Sequence, residues 1–123
     1  MDLDLTGKTA IVTGSTRGIG LATAIGLAGM GADVVVNGRS DAAVQEAIGK
    51  VRQAVPSARA QAAPFDLAGA EGCAALTRAF PSADILVNNL GIYAPKPFFD
   101  LADEDWREMF DVNVMSGVRL TRH

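Results

Sequence analysis

Short apolar runs alternate along this chain with longer segments of mixed polarity. The first run, Thr9-Ala10-Ile11-Val12-Thr13, is apolar and β-branched and ends at Gly14. It reads as a buried strand, because a parallel strand covered on both faces shows no polar alternation. A mostly apolar segment of helical composition then runs to Met30, with Gly31 as a fitting stop. Asp33 opens a second strand, Val34-Val35-Val36-Asn37. Ser40 and Asp41 mark the start of a helix, on which Val44, Ala47, Ile48, Val51 and Val55 form one apolar stripe. Pro56 ends it. Residues 58–63 are predicted as a third strand, more from their place in the order than from their composition. Cys73, Leu76 and Phe80 mark a third helical stripe closed by Pro81, and Ile85-Leu86-Val87-Asn88 is a fourth strand. After a loop with Pro95 and Pro97, a last helix is predicted from Asp103. Its acidic first turn (Asp103, Glu104, Asp105) complements the positive end of the helix dipole.

The alternation β-α-β-α-β-α-β-α has no internal repeat and no linker. It predicts an α/β fold: a Rossmann-type doubly wound parallel sheet, strand order 3-2-1-4, with helices on both faces and right-handed crossovers. A length of 123 residues suits one domain, here a single partial dinucleotide-binding domain over residues 1–123.

Composition narrows the functional classes. The net charge of -3 comes from interspersed charges with no basic block, which argues against nucleic acid as a partner. The lone Cys73 excludes an internal disulfide and leaves no metal-ligand cluster, so no metal site is expected. The longest uncharged stretch, residues 18–32, is interrupted by Gly20, Gly26, Gly29 and Gly31 and falls short of the roughly 20 apolar residues of a membrane span. Asp2 and Asp4 stand where a signal peptide would be positive. A soluble, cytoplasmic protein is the expectation.

The glycine-rich segment Gly14-Ser15-Thr16-Arg17-Gly18-Ile19-Gly20 follows a strand and opens a helix, so its backbone N–H groups and the helix dipole suit a pyrophosphate. Gly14 allows the tight turn, Gly18 close backbone approach, and Gly20 close packing of the helix. The spacing is G-x-x-x-G-x-G. Taken with Thr13, this loop resembles the T-G-x-x-x-G-I-G loop of the short-chain dehydrogenase/reductase family. Asn88-Asn89-Leu90-Gly91 resembles that family's N-N-A-G motif, with Leu90 where alanine is usual. Asp66-Leu67 resembles its adenine-binding acidic site, and Asp111-Val112-Asn113-Val114 the helix segment with the catalytic Asn. The four motifs, in family order, cover the chain, which looks like the N-terminal half of a 3-oxoacyl-reductase-like member.

The resemblance implies hydride transfer between NAD(P)(H) and a small-molecule carbonyl or alcohol substrate, with Asn113 as the catalytic residue present. Gly14, Ser15, Thr16, Arg17, Gly18, Ile19, Gly20, Arg39, Asp66, Leu67, Asn89 and Gly91 are the expected cofactor-binding residues. The second strand ends Asn37-Gly38-Arg39-Ser40. Gly38 stands where NAD-preferring relatives carry Asp, while Arg39 can grip a ribose 2′-phosphate with Arg17 adding charge. NADP is therefore the expected cofactor, with NAD the alternative.

Trp106, Phe110, Asn113, Gly117 and Leu120 form the inward stripe expected of the last helix. Asn113 on that stripe needs hydrogen-bond partners; it either fixes a helix deformation or, by the resemblance, holds a water in a proton relay. Asn88 either ties strand ends together or lines the adenine pocket, and Asn89 and Gly91 face the cofactor. Tyr93 and Lys96 are three apart and do not make the family's Tyr-x-x-x-Lys pair. His123 reads as a surface residue, Ser116 as no substitute for the family's Ser, and Cys73 and the methionines as core filling.

The family's Ser, Tyr and Lys lie beyond the Asn helix, and the sequence ends at Leu120-Thr121-Arg122-His123 with no helix stop. The expectation is a truncated chain, inactive alone, whose open fourth strand or last helix makes it poorly stable or a homo-oligomer. The alternative is a non-catalytic nucleotide-binding module or an inactive truncation product.

Overall fold

The computed structural model describes residues 3–123, so Asp2 lies outside the described residues. Four strands, β1 (Thr9–Val12), β2 (Asp33–Gly38), β3 (Ala60–Pro64) and β4 (Ile85–Val87), form one parallel sheet in the order β3-β2-β1-β4. Between them run α1 (Gly18–Gly29), α2 (Asp41–Ala54) and α3 (Ala70–Ala79). After β4 come a 3-10 turn (Phe98–Asp100) and a last helical stretch, α4 (Asp103–Phe110) and α5 (Ser116–Thr121), joined by a π turn at Asp111–Met115.

The uniform apolarity of the central strands follows from burial on both faces. Ala10 and Val12 of β1 and Val34 and Val36 of β2 point to one side and pack with Ala24, Ala28, Val44, Ala47, Ile48 and Val51 of α1 and α2. Ile11 and Val35 point to the other side, where Ala63, Leu67, Cys73, Leu76 and Leu120 meet them. Two apolar cores thus sandwich the sheet.

On α1, Gly20, Ala24 and Ala28 form the buried row, small enough to let the helix lie close on the sheet. The α2 stripe is as expected: Val44, Ala47, Ile48 and Val51 are buried. Each Val or Ile there contributes up to about 1.5–3 kcal/mol of burial, so a charge at Val44 would break the α2 contact. The Ser40 side chain caps α2 by accepting the Ala43 N–H at 3.3 Å. Gly31 adopts φ +96, the left-handed stop after α1.

The third strand starts two residues later than expected and takes in Pro64. Proline is tolerated because β3 is an edge strand.

The last helix departs from expectation in phase. Its buried residues are Val112, Ser116 and Leu120, whereas Trp106 and Phe110 are exposed by more than half and Asn113 is exposed. Of the expected inward stripe, Leu120 is buried and Gly117 half-buried. The cause is the π turn: five residues wound i→i+5 lag behind the α-helical angle and rotate the faces on either side out of register.

Candidate functional site

At the carboxyl ends of the strands the sheet opens into a cleft of about 830 Å³. This is the edge at which β1 and β2 hand over to their following loops. It brings together most residues expected to bind a cofactor: Gly14, Thr16, Arg17, Gly18, Ile19 and Gly20 from the loop after β1, Arg39 after β2, Asp66 and Leu67 after β3, and Asn89 and Gly91 after β4.

The loop after β1 is shaped by two glycines in the left-handed region, Gly14 (φ +59) and Gly18 (φ +58). A Cβ on Gly18 would meet nothing within 4 Å, so it borders open space. Gly20 is the reverse: a Cβ there would collide with the Gly14 carbonyl and stand 2.6 Å from Asn89 Nδ2 and 2.9 Å from Ser15 Cα. The helix therefore packs on the loop itself. Arg17 precedes α1 in extended conformation, and the first N–H groups of α1 lack intrahelical acceptors and point to the cleft. That gives an electropositive end of the helix for an anion, and Arg17 and Arg39 also line the cleft.

The cleft also carries a carboxylate from the turn after β3. Asp66 Oδ1 accepts the Ala68 N–H at 3.0 Å, an Asx turn that leaves the second carboxylate oxygen for a donor in the cleft. Leu67 is 1 % exposed, with its side chain in the core beside Cys73 and Leu76.

Several expected roles move. Ser15 lines no part of the cleft. Its hydroxyl donates to the Val12 carbonyl at 2.6 Å and accepts the Asn37 N–H at 2.9 Å, and its own N–H donates to the Asn37 carbonyl at 2.9 Å. With every donor committed, Ser15 builds the loop and offers none to a ligand. Strand tying, one of two readings for Asn88, is carried out by Asn89, whose Nδ2 donates to the carbonyls of Thr13 (3.2 Å) and Gly14 (3.1 Å). Thr13 Oγ1 reciprocates by accepting the N–H groups of Asn89 and Leu90 at 3.0 and 2.9 Å. Asn88 turns away from the cleft and donates to Thr121 Oγ1 at 3.0 Å, so it lines no adenine pocket.

Asn113 is held by the loop after β4. Its Oδ1 accepts the Ile92 N–H at 2.7 Å, and its Nδ2 donates to the Ile92 carbonyl at 3.0 Å and meets Met109 Sδ at 3.0 Å. The side chain sits at the π turn and pins residues 91–92 against the helix, with Gly91 close by: a Cβ there would stand 3.3 Å from Asn113 Oδ1. Ser116 donates to the Val112 carbonyl at 2.6 Å within its own helix. Lys96 pairs with Asp105 at 3.0 Å, and Tyr93 is 87 % exposed.

One cleft residue, Asn37, escaped the sequence reading. Asn37 is buried and bonded on all sides, and only its polarity in an otherwise apolar strand could have marked it. Gly38 faces the Thr16 side chain so closely that a Cβ would collide with the Thr16 methyl and stand 3.2 Å from Val44 Cγ2. Among the described residues no three His, Cys, Asp or Glu side chains group as a metal site, and no helix is long and apolar enough to cross a membrane.

A sequence model of the family described as short chain dehydrogenase matches residues 8–123. Over 122 residues the chain is 52% identical to the uncharacterized oxidoreductase YvaG of Bacillus subtilis (strain 168), spanning 99% of this chain and 46% of that protein. It is 37% identical over 127 residues to gluconate 5-dehydrogenase of Gluconobacter oxydans (strain 621H), spanning 97% and 49%. Among solved structures it is similar to L-sorbose reductase from Gluconobacter frateurii complexed with NADPH and L-sorbose. That match has a TM-score of 0.90 and 37% identity over 99% of this chain and 48% of that one. The chain spans about half the length of the curated relatives it matches.

Proposed function

The chain belongs to the short-chain dehydrogenase family, and on that premise we propose that it forms the dinucleotide-binding part of an NADP(H)-dependent oxidoreductase acting on a small-molecule carbonyl or alcohol. The observation that carries this reading is the cleft that gathers the helix N–H groups, Arg17, Arg39 and Asp66. The residues fit such a group, since the Gly18 side of the loop is open where a backbone-hugging pyrophosphate must lie. Once bound, NADP(H) carries the hydride; the protein's part is to bind and orient it.

The loop from Gly14 to Gly20 takes the pyrophosphate, and Asp66 accepts the adenine amino group. Arg39 and Arg17 hold the 2′-phosphate, where bidentate guanidinium bonds are strong. The space beside Gly38 supports NADP over NAD: an aspartate for a 2′-hydroxyl would have to displace Thr16. The NADPH complex of the L-sorbose reductase relative points the same way. Asn89 and Gly91 shape the nicotinamide side from below. Asn113, with its amide engaged on Ile92, serves the active centre by holding the loop and the π turn, where a water of a proton relay is bound.

Trp106, Phe110, Val114 and Val118 recur along one exposed face of the last helix, with Phe98 stacked edge-on against Trp106 at 6.5 Å. An apolar stripe of this kind marks an interface, and a second copy of this chain is its proposed partner. An antiparallel pair about a two-fold axis would set the acidic start of α4 (Asp103, Glu104) against Arg119 and Arg122 of the other copy. The cytoplasm, as a reducing compartment, suits the free thiol of Cys73.

Calorimetric titration of the protein with NADPH and NADH tests the reading. NADPH is expected to bind about tenfold tighter or more, since a charge-assisted pair contributes about 1.5–3 kcal/mol. Equal affinities would remove the NADP preference, and binding of neither would remove the nucleotide site.

A further inference from the structure

Asn37 is 1 % exposed at the end of β2. Its Oδ1 accepts the Gly14 N–H at 3.0 Å, and its Nδ2 donates to the carbonyls of Ala63 (2.9 Å) and Phe65 (3.1 Å). Its backbone bonds Ser15 twice, through the Ser15 hydroxyl and the Ser15 N–H, each at 2.9 Å. Both amide protons are committed, so the side chain has no donor left for a ligand.

The need for this side chain starts at Pro64. Strand β3 ends on that proline, paired with Gly38, and proline has no N–H to give the ladder. Asn37 Nδ2 takes the carbonyls on both sides of it. There the chain turns, with the Phe65 N–H donating back to the Ala63 carbonyl at 2.9 Å, and Asp66 follows at once. One buried amide is therefore bonded both to the first residue of the glycine loop and to the turn that carries Asp66.

We propose that Asn37 is a positioning residue for the dinucleotide. It fixes the separation between the glycine loop and the Asp66 turn, so that a ligand spanning both meets a preformed site. This rests on the nucleotide reading above. A ligand that bridges two loosely connected groups must supply the free energy of ordering them, whereas a ligand touching one end is indifferent to their separation.

The test compares the protein with Asn37→Ala, titrated with NADPH and with adenosine 2′-phosphate, which has no 5′-phosphate for the backbone of the glycine loop. NADPH affinity is expected to fall about tenfold or more, as for the loss of buried hydrogen bonds. Affinity for adenosine 2′-phosphate should stay within about threefold. Equal losses for the two ligands, or no loss, would overturn the positioning role. Asn37→Ala risks failing to fold, so amide hydrogen exchange on the unaltered protein gives a second reading. The N–H groups of Gly14 and Ser15 should be protected without nucleotide, and those of residues 16–20 only after NADPH is added. Exchange of Gly14 and Ser15 as fast as residues 16–20 in the free protein would refute the brace. If the unaltered protein binds neither ligand, the nucleotide reading falls and takes the brace with it. If it binds both and Asn37→Ala keeps their ratio, the positioning role alone falls.

Discussion

Replacing Gly20 with alanine adds one methyl group at the first turn of α1. That methyl would overlap the Gly14 carbonyl and approach Asn89 Nδ2 to 2.6 Å and Ser15 Cα to 2.9 Å. Two of these atoms are backbone. The third belongs to an amide that cannot step aside without giving up its bonds to Thr13 and Gly14. Overpacking of this kind costs about 1–3 kcal/mol, and each hydrogen bond lost about 0.5–1.5 kcal/mol. The alanine regains about 0.5–1 kcal/mol of helix propensity, leaving a net loss of about 2–3 kcal/mol. Urea unfolding should then show a midpoint lower by about 1 M at unchanged slope, with NADPH binding weakened in the protein that remains folded. Gly26→Ala is the control: it lies in the same helix, exposed, with nothing within 4 Å of the added atom, and should stabilise by about 0.5–1 kcal/mol. A Gly20→Ala protein as stable as the unaltered one would refute the packing of the loop against α1 described above.

Arg39→Ala should weaken NADPH about tenfold while moving NADH by less than about twofold, read by calorimetry; equal losses would mean that Arg39 does not discriminate the 2′-phosphate. Burial pushes the Cys73 thiol up, against a smaller opposing pull from Arg119. It should therefore hold little thiolate at pH 8 and react with a thiol reagent only after unfolding; fast labelling of native protein would contradict this. Trp106→Glu should shift the sedimentation of the protein toward the monomer, and an unchanged profile would move the interface off α4. The Ala102 N–H, with Lys96, holds the Asp105 carboxyl below the usual aspartate range. A depressed carboxylate stabilises above its ordinary pKa and stops doing so as pH falls through the lowered one. Trp106 fluorescence should therefore report release of the 96–105 loop only below about pH 4, and release near pH 6 would count against that tie.

Much of the fold was legible because the central strands and α2 announce themselves by burial. Val34, Val35 and Val36 are apolar on both faces, and Val44 to Val51 carry a clean helical period. The glycine loop was legible because left-handed backbone at Gly14 and Gly18 leaves few other choices of residue. The phase of the last helix was not legible: a π turn leaves no mark in the residue pattern, so the stripe drawn through Trp106 and Asn113 followed an unbroken α-helical angle. Ser15 was given to the cofactor and Asn37 was missed, both for one reason. Their work is in hydrogen bonds between residues 22 to 28 positions apart, and the identity of a Ser or an Asn does not say where its donors go. Asn89, not its neighbour Asn88, ties the strand end, because neighbouring residues beyond a strand end point in opposite directions.

The central strand β1 has its two partners at very different distances along the chain. Ala10 pairs with Val34 on one side and with Ile85 on the other, and the contact of Thr9 with Asp84 spans 75 residues. On a ribosome moving at about 5–20 residues per second, β1 and β2 can join several seconds before β4 leaves the exit tunnel. During that interval the Thr13 hydroxyl and the Gly14 carbonyl have no Asn89 to meet, and the glycine loop lacks its strut. Its final shape is thus set late in synthesis, by the segment around Asn89.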